Sequence, residues 1–579
     1  MTPNQPGPSG GWSHCGLPVG GAFWHPPHMR PTLRRPSRFP LLATSLALAA
    51  AVAAPLAAPP AVAAAEPNFP SSMSGYHNFP EMVTEIKAAA TKYPEIVQVF
   101  SIGKSYGGRD IWAAKVSDHV ATDEREPEVL IDALHHAREH LTTEQALAIL
   151  RWLTTGYGSD STVTNLVNAR EVFIIFALNP DGMRYDLTGS PFRAWRKNRQ
   201  PNAGTTAIGT DLNRNYGYRW GCCGGSSGSK SASTYRGAGP FSAPETQVFR
   251  DFVKSRVIGG VQQIRAHITL HTNGELILWP YGYTKTNVPP DMTTLDHDTF
   301  VALGRAQAAK NGYTAEQSSD LYITDGDQID WLYGTYRIFS FTYELYPSEQ
   351  STVWKDHYPD DSKIPTQTAR NKGAILHLIG RAGCPYAALG ATIVRNDCGP
   401  LFDDLEINRG WKRNAAGTDT ATSGLWAISN PAATSSSGPK QLGTTTSGAK
   451  ALVTGALAGS GASANDVDGG TTTIRSRPIV LPASAAAFGP LTFRYYLAHG
   501  ANSSPDDALR VVVEAEDGTP TVVLEELGAA NDDDAAWSSA SRSLAAWAGQ
   551  TIHLVVEATD GADDSLVETA IDDIRIRRP

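Results

Sequence analysis

Cysteine is scarce in this chain, five residues in 579. Of these, neither Cys222 with Cys223 nor Cys384 with Cys398 has zinc-finger spacing, so a cysteine-built metal site is not expected. Cations are the minority charge: 49 Lys and Arg stand against 58 Asp and Glu, a formal net charge of −9. That balance lacks the basic footprint by which proteins hold nucleic acid or anionic membranes. No internal repeat is visible. No apolar run is long and unbroken enough for stable membrane insertion; residues 39–58 come nearest, but Pro55 interrupts them and Pro59 and Pro60 follow.

The same stretch reads as a targeting signal. Arg30, Arg34, Arg35 and Arg38 precede its Ala/Leu-rich run, and Ala61-Val62-Ala63-Ala64-Ala65 offers a small-residue cleavage site before Glu66. Residues 1–65 are therefore expected to be a leader with a secretory signal peptide. Met29 is an alternative start, because residues 1–28 are rich in Gly, Pro and Trp and carry no charge. Arg34-Arg35 also permits twin-arginine export, although its flanks fit that signal poorly. Losing the leader removes four arginines and no acids, which takes the net charge from −9 to −13. The four remaining cysteines are an even set in a chain expected to be extracellular, so disulfides are predicted. Cys384 and Cys398 are the natural pair, closing a short loop. Cys222 and Cys223 then form a vicinal bridge, with crossed pairings left open.

At this length two domains beyond the leader are expected. From Tyr76 to about Cys384, apolar β-rich runs (Pro127–Leu134, Glu171–Leu178, Ala266–Leu270, Ile338–Tyr343) alternate with helical patterns (Thr142–Thr154, Thr299–Ala309). The alternation predicts an α/β domain over 66–398, a mixed, largely parallel sheet sandwiched by helices. From about Leu401 helical patterns thin out, and short alternating strands appear at Leu491–Leu497, Ala508–Glu516, Thr521–Leu524, Thr551–Glu557 and Thr569–Arg577. Residues 399–579 are thus predicted to form an all-β, jelly-roll-type sandwich, an accessory domain. Ala432–Lys450, rich in Ser, Thr and Gly, reads as a flexible loop or strand link.

The run Leu134-His135-His136-Ala137-Arg138-Glu139-His140 follows a predicted strand and sets His136 and Glu139 three residues apart. One turn can thereby offer two ligands to zinc. Catalytic zinc takes three protein ligands and leaves a fourth position for water, so a further histidine is needed at another strand end. His271, in Ile268-Thr269-Leu270-His271-Thr272, supplies it. His135 and His140 flank the ligands, but one short turn aims only one histidine at the metal.

Further signals follow in order: Asn179-Pro-Asp-Gly182, Trp195-Arg196-Lys197, Asp211-Leu-Asn213-Arg214-Asn215, Tyr322 and Phe341-Thr-Tyr-Glu344-Leu. With them, Tyr76 to about Cys384 resembles the zinc metallocarboxypeptidases of the A, B and T types, especially the secreted bacterial T type. The resemblance implies one zinc ion on His136, Glu139 and His271. It favours His271 over His267, which lies four residues earlier on the same strand face, because the tail Glu275-Leu-Ile-Leu-Trp-Pro-Tyr-Gly follows with family spacing. Asp211 would accept the outer N–H of the first histidine. Glu344 would carry a proton from water to the leaving amine, its apolar flanks favouring a raised pKa. Arg196 would stabilise the oxyanion. Arg214 with Asn213 would clamp a free C-terminal carboxylate, and Tyr322 would close over it from a mobile loop. Arg138 is expected to make a secondary substrate contact, and Arg193 and Arg199 to be surface charges.

The implied activity is that of a secreted, monomeric zinc exopeptidase hydrolysing the C-terminal bond of peptides and proteins. Two alternatives share the scaffold. A cell-wall amidopeptidase is disfavoured by Arg214 and Tyr322, and a catalytically dead surface-binding protein by the intact zinc set and Glu344. Basic-specific relatives carry aspartate where this chain has Ile329, which predicts an apolar side-chain pocket. Asp327 resembles the acidic pocket residue of the T type and is expected to add Lys and Arg to the accepted residues. Asn273 stands where an aromatic residue is often found, and only about ten residues separate the leader from Tyr76, so no activation propeptide is expected. A calcium site is predicted in the sandwich from Asn465-Asp466-Val467-Asp468 with Asp572-Asp573.

Overall fold

The computed structural model describes residues 66–579, apart from 125, 259, 349, 458, 562 and 563. The expected leader, 1–65, lies outside the described residues. The first helix, α1 (Phe79–Lys92), opens on a capping box: the Asn78 side chain accepts the Glu81 amide while Glu81 reaches back to the Asn78 amide. There follow β1 (Val97–Lys104), β2 (Asp110–Val116), β3 (Glu128–Ala133), α2 (Leu141–Gly156), α3 (Ser161–Val167), β4 (Glu171–Ile175) and α4 (Pro180–Asp186). After a long irregular segment come α5 (Pro244–Ser255), a small hairpin of β5 (Val257–Ile258) and β6 (Val261–Gln262), then β7 (Ile264–Thr272) and β8 (Leu276–Trp279). Next are α6 (Thr294–Asn311), β9 (Thr314–Gln317), α7 (Ser318–Leu321), α8 (Gln328–Tyr336) and β10 (Phe339–Leu345).

Eight strands make one sheet in the order β1-β2-β4-β3-β7-β10-β8-β9. Its centre, β4-β3-β7-β10, is parallel, while β1, β2 and β8 pair antiparallel with their inner neighbours. The mixed, centrally parallel sheet is the one expected. Alternation along each strand divides the apolar residues between two cores. Val129 and Ile131 of β3, with Val172 and Ile174 of β4, join α1, α2 and α6 in one core. Leu130, Phe173 and Ile175 meet α5 and α8 on the opposite face. Burial on both faces is why these strands read as continuous apolar runs. Predicted boundaries shift by a few residues: α6 starts earlier, at Thr294, because Thr293 caps it, and ends where Gly312 takes the left-handed conformation (φ 72°).

Beyond Leu401 the strands form two six-stranded sheets, with every pairing antiparallel. Leu452, Phe493 and Ile571 from one sheet meet Ile474, Leu509, Val511 and Val556 from the other in a single core around Trp426. Strict in–out alternation over Thr551–Thr559 shows the period-two pattern that predicted it. The flexible link expected over 432–450 is instead built into the fold. Thr434–Ser435 pairs with Pro439–Gln441, and buried Lys440 reaches Asp532 and Asp534, each at 3.1 Å. A composition count cannot reveal a lysine held by two distant acids. Cys222–Cys223 and Cys384–Cys398 lie at bonding distance, as predicted. Among the described residues no helix is long and apolar enough to cross a membrane.

His77 ties the start of α1 to α2. Its Nδ1 lies 2.9 Å from Glu144 and its Nε2 3.1 Å from Glu85. Hydrogen bonds to Glu144 and Glu85 outweigh burial and push the imidazole from 6.5 up to about 10. A raised folded pKa stabilises fully below the unfolded value and loses that contribution as pH climbs through the folded one. The gap in Tm between wild type and His77→Gln should therefore be widest below pH 6.5 and shrink towards pH 10. A gap independent of pH would show that charge plays no part.

Candidate active site and metal centre

At the end of β3, where the chain leaves the strand for the following turn, Leu134 takes a left-handed φ of 61°. The conformation is unfavourable for a non-glycine residue and persists only where neighbours enforce it. Thr142 Oγ1 accepts the Leu134 amide at 3.1 Å, and the Asn179 amide donates to the Leu134 carbonyl at 3.1 Å. Asn179 also donates from its side chain to the carbonyls of His135 and Lys197, each at 3.1 Å, while its side-chain oxygen caps α4. The Ala137 amide donates to the Arg196 carbonyl at 3.1 Å, joining the turn to the Trp195-Arg196-Lys197 segment.

In this turn His136 Nδ1 lies 2.8 Å from Glu139 Oε1. From the end of β7, His271 Nδ1 lies 3.1 Å from Glu139 Oε2 and 3.1 Å from His136 Nδ1. Zinc held by bonds of about 2.0–2.1 Å in a tetrahedron would set its ligands ~3.3 Å apart. Burial pulls the His271 imidazole down to about 4, leaving it neutral, with a lone pair to give, near neutral pH. Burial opposes ionisation of Glu139, but His136 and His271 hold its carboxyl well below the usual range. Two imidazole nitrogens and a carboxylate thus converge as ligand atoms, and the residues fit the ion. Asp211 Oδ1 meets the outer nitrogen of His136 at 3.1 Å, and its other oxygen accepts Arg196 Nε at 3.0 Å. Despite burial, Arg196 and His136 keep that carboxyl far below its ordinary value.

The neighbouring histidines have other partners. His267 Nε2 is 2.6 Å from Asp132, which His135 Nδ1 also meets, at 3.0 Å, with Thr269 and Gln328 donating to the same carboxylate. His140 Nε2 is 2.9 Å from Asp186.

A cleft of about 650 Å³ opens beside the centre. His136, Glu139, Arg138, Arg196, Asn213, Arg214, Tyr322, Asp327, Ile329 and Glu344 all line it, so distant segments meet as expected. Glu344 leaves β10 level with His271 on β7. Burial, then Glu139, raises its carboxyl well above the usual range. Arg214 is buried, donating to the carbonyls of Gly225 (3.0 Å) and Asn213 (2.6 Å), with its guanidinium 5.9 Å from the Tyr322 ring. Asn213 Oδ1 accepts the Gln328 amide at 3.0 Å, which turns the amide oxygen towards α8. Tyr322, which lines the cleft, is 48% exposed. Arg138 is depressed by burial and by Arg196.

Sequence reasoning missed several lining residues. His357 and Asp356 enter from beyond β10; His357 Nδ1 is 3.0 Å from Thr272 Oγ1, and Asp356 accepts from Asn273 at 3.3 Å. Asn273, noted only as a departure, is thus half of a polar pair. Leu278, Thr342 and Glu316 also line the cleft, brought there by strand pairing that no local motif signals.

The predicted calcium set does not assemble. Asp572 accepts from the amide and hydroxyl of Thr446 (2.8 and 2.7 Å), and Asp573 from the hydroxyls of Thr446 and Ser447 (3.0 and 2.9 Å). Asp468 converges instead with Asp560 and Asp564. The order of strands, not visible in the motif, separates the two halves.

The profile of the zinc carboxypeptidase family matches residues 82–373. A zinc carboxypeptidase of Saccharothrix mutabilis subsp. capreolus is 50% identical over 325 residues, covering 56% of this chain and 74% of that protein. Carboxypeptidase A2 of Rattus norvegicus is 33% identical over 279 residues, 47% of this chain and 63% of that protein. Among solved structures, the carboxypeptidase A of Helicoverpa armigera aligns with a TM-score of 0.47 at 27% identity, covering 55% of this chain and 75% of that one.

Asp211→Ala should weaken zinc retention about 10- to 100-fold by freeing the outer nitrogen of His136. Competition against a chelator measures it, and unchanged affinity would show that Asp211 does not orient the ligand.

Proposed function

Since the chain belongs to the zinc carboxypeptidase family, whose members are zinc-dependent hydrolases, we propose that it is a secreted, monomeric exopeptidase. It removes the C-terminal residue of peptides and proteins. The observation that carries this reading is the buried Arg214 guanidinium in one cleft with Glu344 and the His136, Glu139 and His271 ligand atoms. A fixed cation beside a hydrolytic centre selects substrates that end in a carboxylate. Residues 66–398 form the catalytic domain in this proposal. Residues 399–579 are an accessory module whose suggested role is attachment to a substrate or surface.

His136, Glu139 and His271 would hold zinc, which when bound would supply Lewis acidity at the cleft. Arg214 receives the substrate's terminal carboxylate in a two-point, charge-assisted contact that lysine's point charge would not reproduce. Tyr322 closes over it and excludes water. Glu344 accepts the proton of the attacking water and returns it to the leaving amine, and burial with the nearby Glu139, which raise its carboxyl above the usual range, strengthen it as a base. Arg196, held by Asp211, presents positive charge where the carbonyl oxygen becomes negative. Ile329 and Leu278 offer apolar wall to the side chain of the departing residue.

Glu344→Gln should lower kcat by two orders of magnitude or more, on the order of 3 kcal/mol, while C-terminal products still bind. Near-normal kcat would remove Glu344 from the mechanism. Arg214→Ala should raise KM and cost roughly 2–5 kcal/mol in kcat/KM on free acids. Amidated substrates, poor for wild type, should change little. If the variant still distinguishes free acid from amide as wild type does, the clamp lies elsewhere.

A further inference from the structure

Three carboxylates line the cleft that the steps above leave idle, Asp327, Asp356 and Glu316. Asp356 is taken up by the Asn273 side chain at 3.3 Å and the Gln350 amide at 2.9 Å. Asp327 is engaged by the fold. Its Oδ1 accepts the Asp330 amide at 2.9 Å, capping α8, and its Oδ2 accepts the Thr324 hydroxyl. The pattern Asp327-Gln-Ile-Asp330 is a helix start, and this competing role removes most of Asp327's freedom to meet a ligand.

Glu316 is placed differently. The parallel pairing of β8 and β9 sets it level with Leu278, and the antiparallel pairing of β8 and β10 sets Leu278 level with Thr342. Residues level on neighbouring strands share a face of the sheet, and all three line the cleft. The next row on that face is Glu344, Leu276 and Thr314. Glu316 therefore stands two strands across and two residues along from Glu344, on the order of 12 Å between backbones. A long side chain on the residue being removed bridges that separation; a short one does not. Burial and the negative Asp320 raise the Glu316 carboxyl, with no cation of the protein easing it among the described residues.

We propose that Glu316 is the specificity-determining anion of the side-chain pocket, pairing with the ammonium or guanidinium of a C-terminal Lys or Arg. Leu278 and Ile329 flank the same pocket, so apolar residues remain acceptable. The proposal rests on the exopeptidase reading and replaces Asp327 as the source of basic specificity.

The test compares kcat/KM on blocked dipeptides ending in Arg, Lys or Leu for wild type, Glu316→Gln and Asp327→Asn, with melting curves as a check on folding. Glu316→Gln should lose about 30-fold or more on Arg and Lys and stay within about twofold on Leu. Asp327→Asn should fall on all three alike, as expected of a helix cap. An unchanged Arg-to-Leu ratio in Glu316→Gln, or a selective loss of Arg in Asp327→Asn alone, would overturn the assignment. Wild type that releases Leu but neither basic residue overturns it while sparing the exopeptidase reading. Release of nothing overturns that reading instead. Calorimetric titration with free L-arginine then decides: binding by wild type and not by Glu316→Gln sustains the pair, and no binding by wild type ends it.

Discussion

Ala133 at the end of β3 lies level with Leu270 on β7, which in turn lies level with Tyr343 on β10. The chain beyond that line carries the chemistry. β3 turns away through Leu134 and delivers His136 and Glu139, while β7 and β10 each run two residues further, with His271 and Glu344 the first beyond the line. Because side chains alternate, a slip of one residue between β7 and its neighbours would turn His271 to the other face. Glu139 would then have no second imidazole to face. Burial is what resists that slip, since β3 and β7 have apolar residues committed to both cores and β10 commits Phe339, Phe341 and Tyr343 to one.

Buried charge is arranged in two ways. Beneath the cleft and on the sheet's far side some of it is matched: Asp132 meets His135, His267, Thr269 and Gln328, and Arg256 meets Glu128 with both Nε contacts at 3.0 Å. At the cleft it is left incomplete. His271 Nε2 and Arg138 Nε are buried without a hydrogen-bond partner, and Glu344 is held above the usual carboxyl range by burial and Glu139. Unmatched polar groups of this kind cost stability. Those of His271 and Arg138 lie where a divalent cation and an anionic chain end are proposed to sit, as expected when a fold gives up local stability for a binding site.

Among the described residues the two-sheet region lends none to this cleft, whose lining falls between His136 and His357. It packs instead near α6. The Tyr386 hydroxyl donates to Asp296 at 2.7 Å, and its ring meets Phe402 edge-on at 6.1 Å between centroids. The largely covered Arg409 lies 3.9 Å from Asp403 and 3.6 Å from Asp404, within the field of Asp296. A junction built from buried charges and an aromatic pair fixes orientation as well as adhesion.

His136, Glu139, His271 and Glu344 were legible as candidates because each follows or ends an apolar run that marks a strand, whereas Arg196 and Arg214, in the irregular segment between α4 and α5, were named through the resemblance alone. The two cores were legible for a similar reason, since alternation along β3 and β4 is written in consecutive residues. Other outcomes needed the tertiary structure. Asp327 resembled a pocket anion, yet the same residue starts a helix, and only the fold shows which use its oxygens serve. Glu316 carried no signal, because its place in the cleft depends on β9 returning across α6 to pair with β8. Asp572 looked like a partner for Asp466 and Asp468 until the strand order gave it to Thr446. A sequence determines what emerges from each strand end. Which side chains then face one another is decided by register between strands far apart in the chain, and that register follows from the packing of the whole.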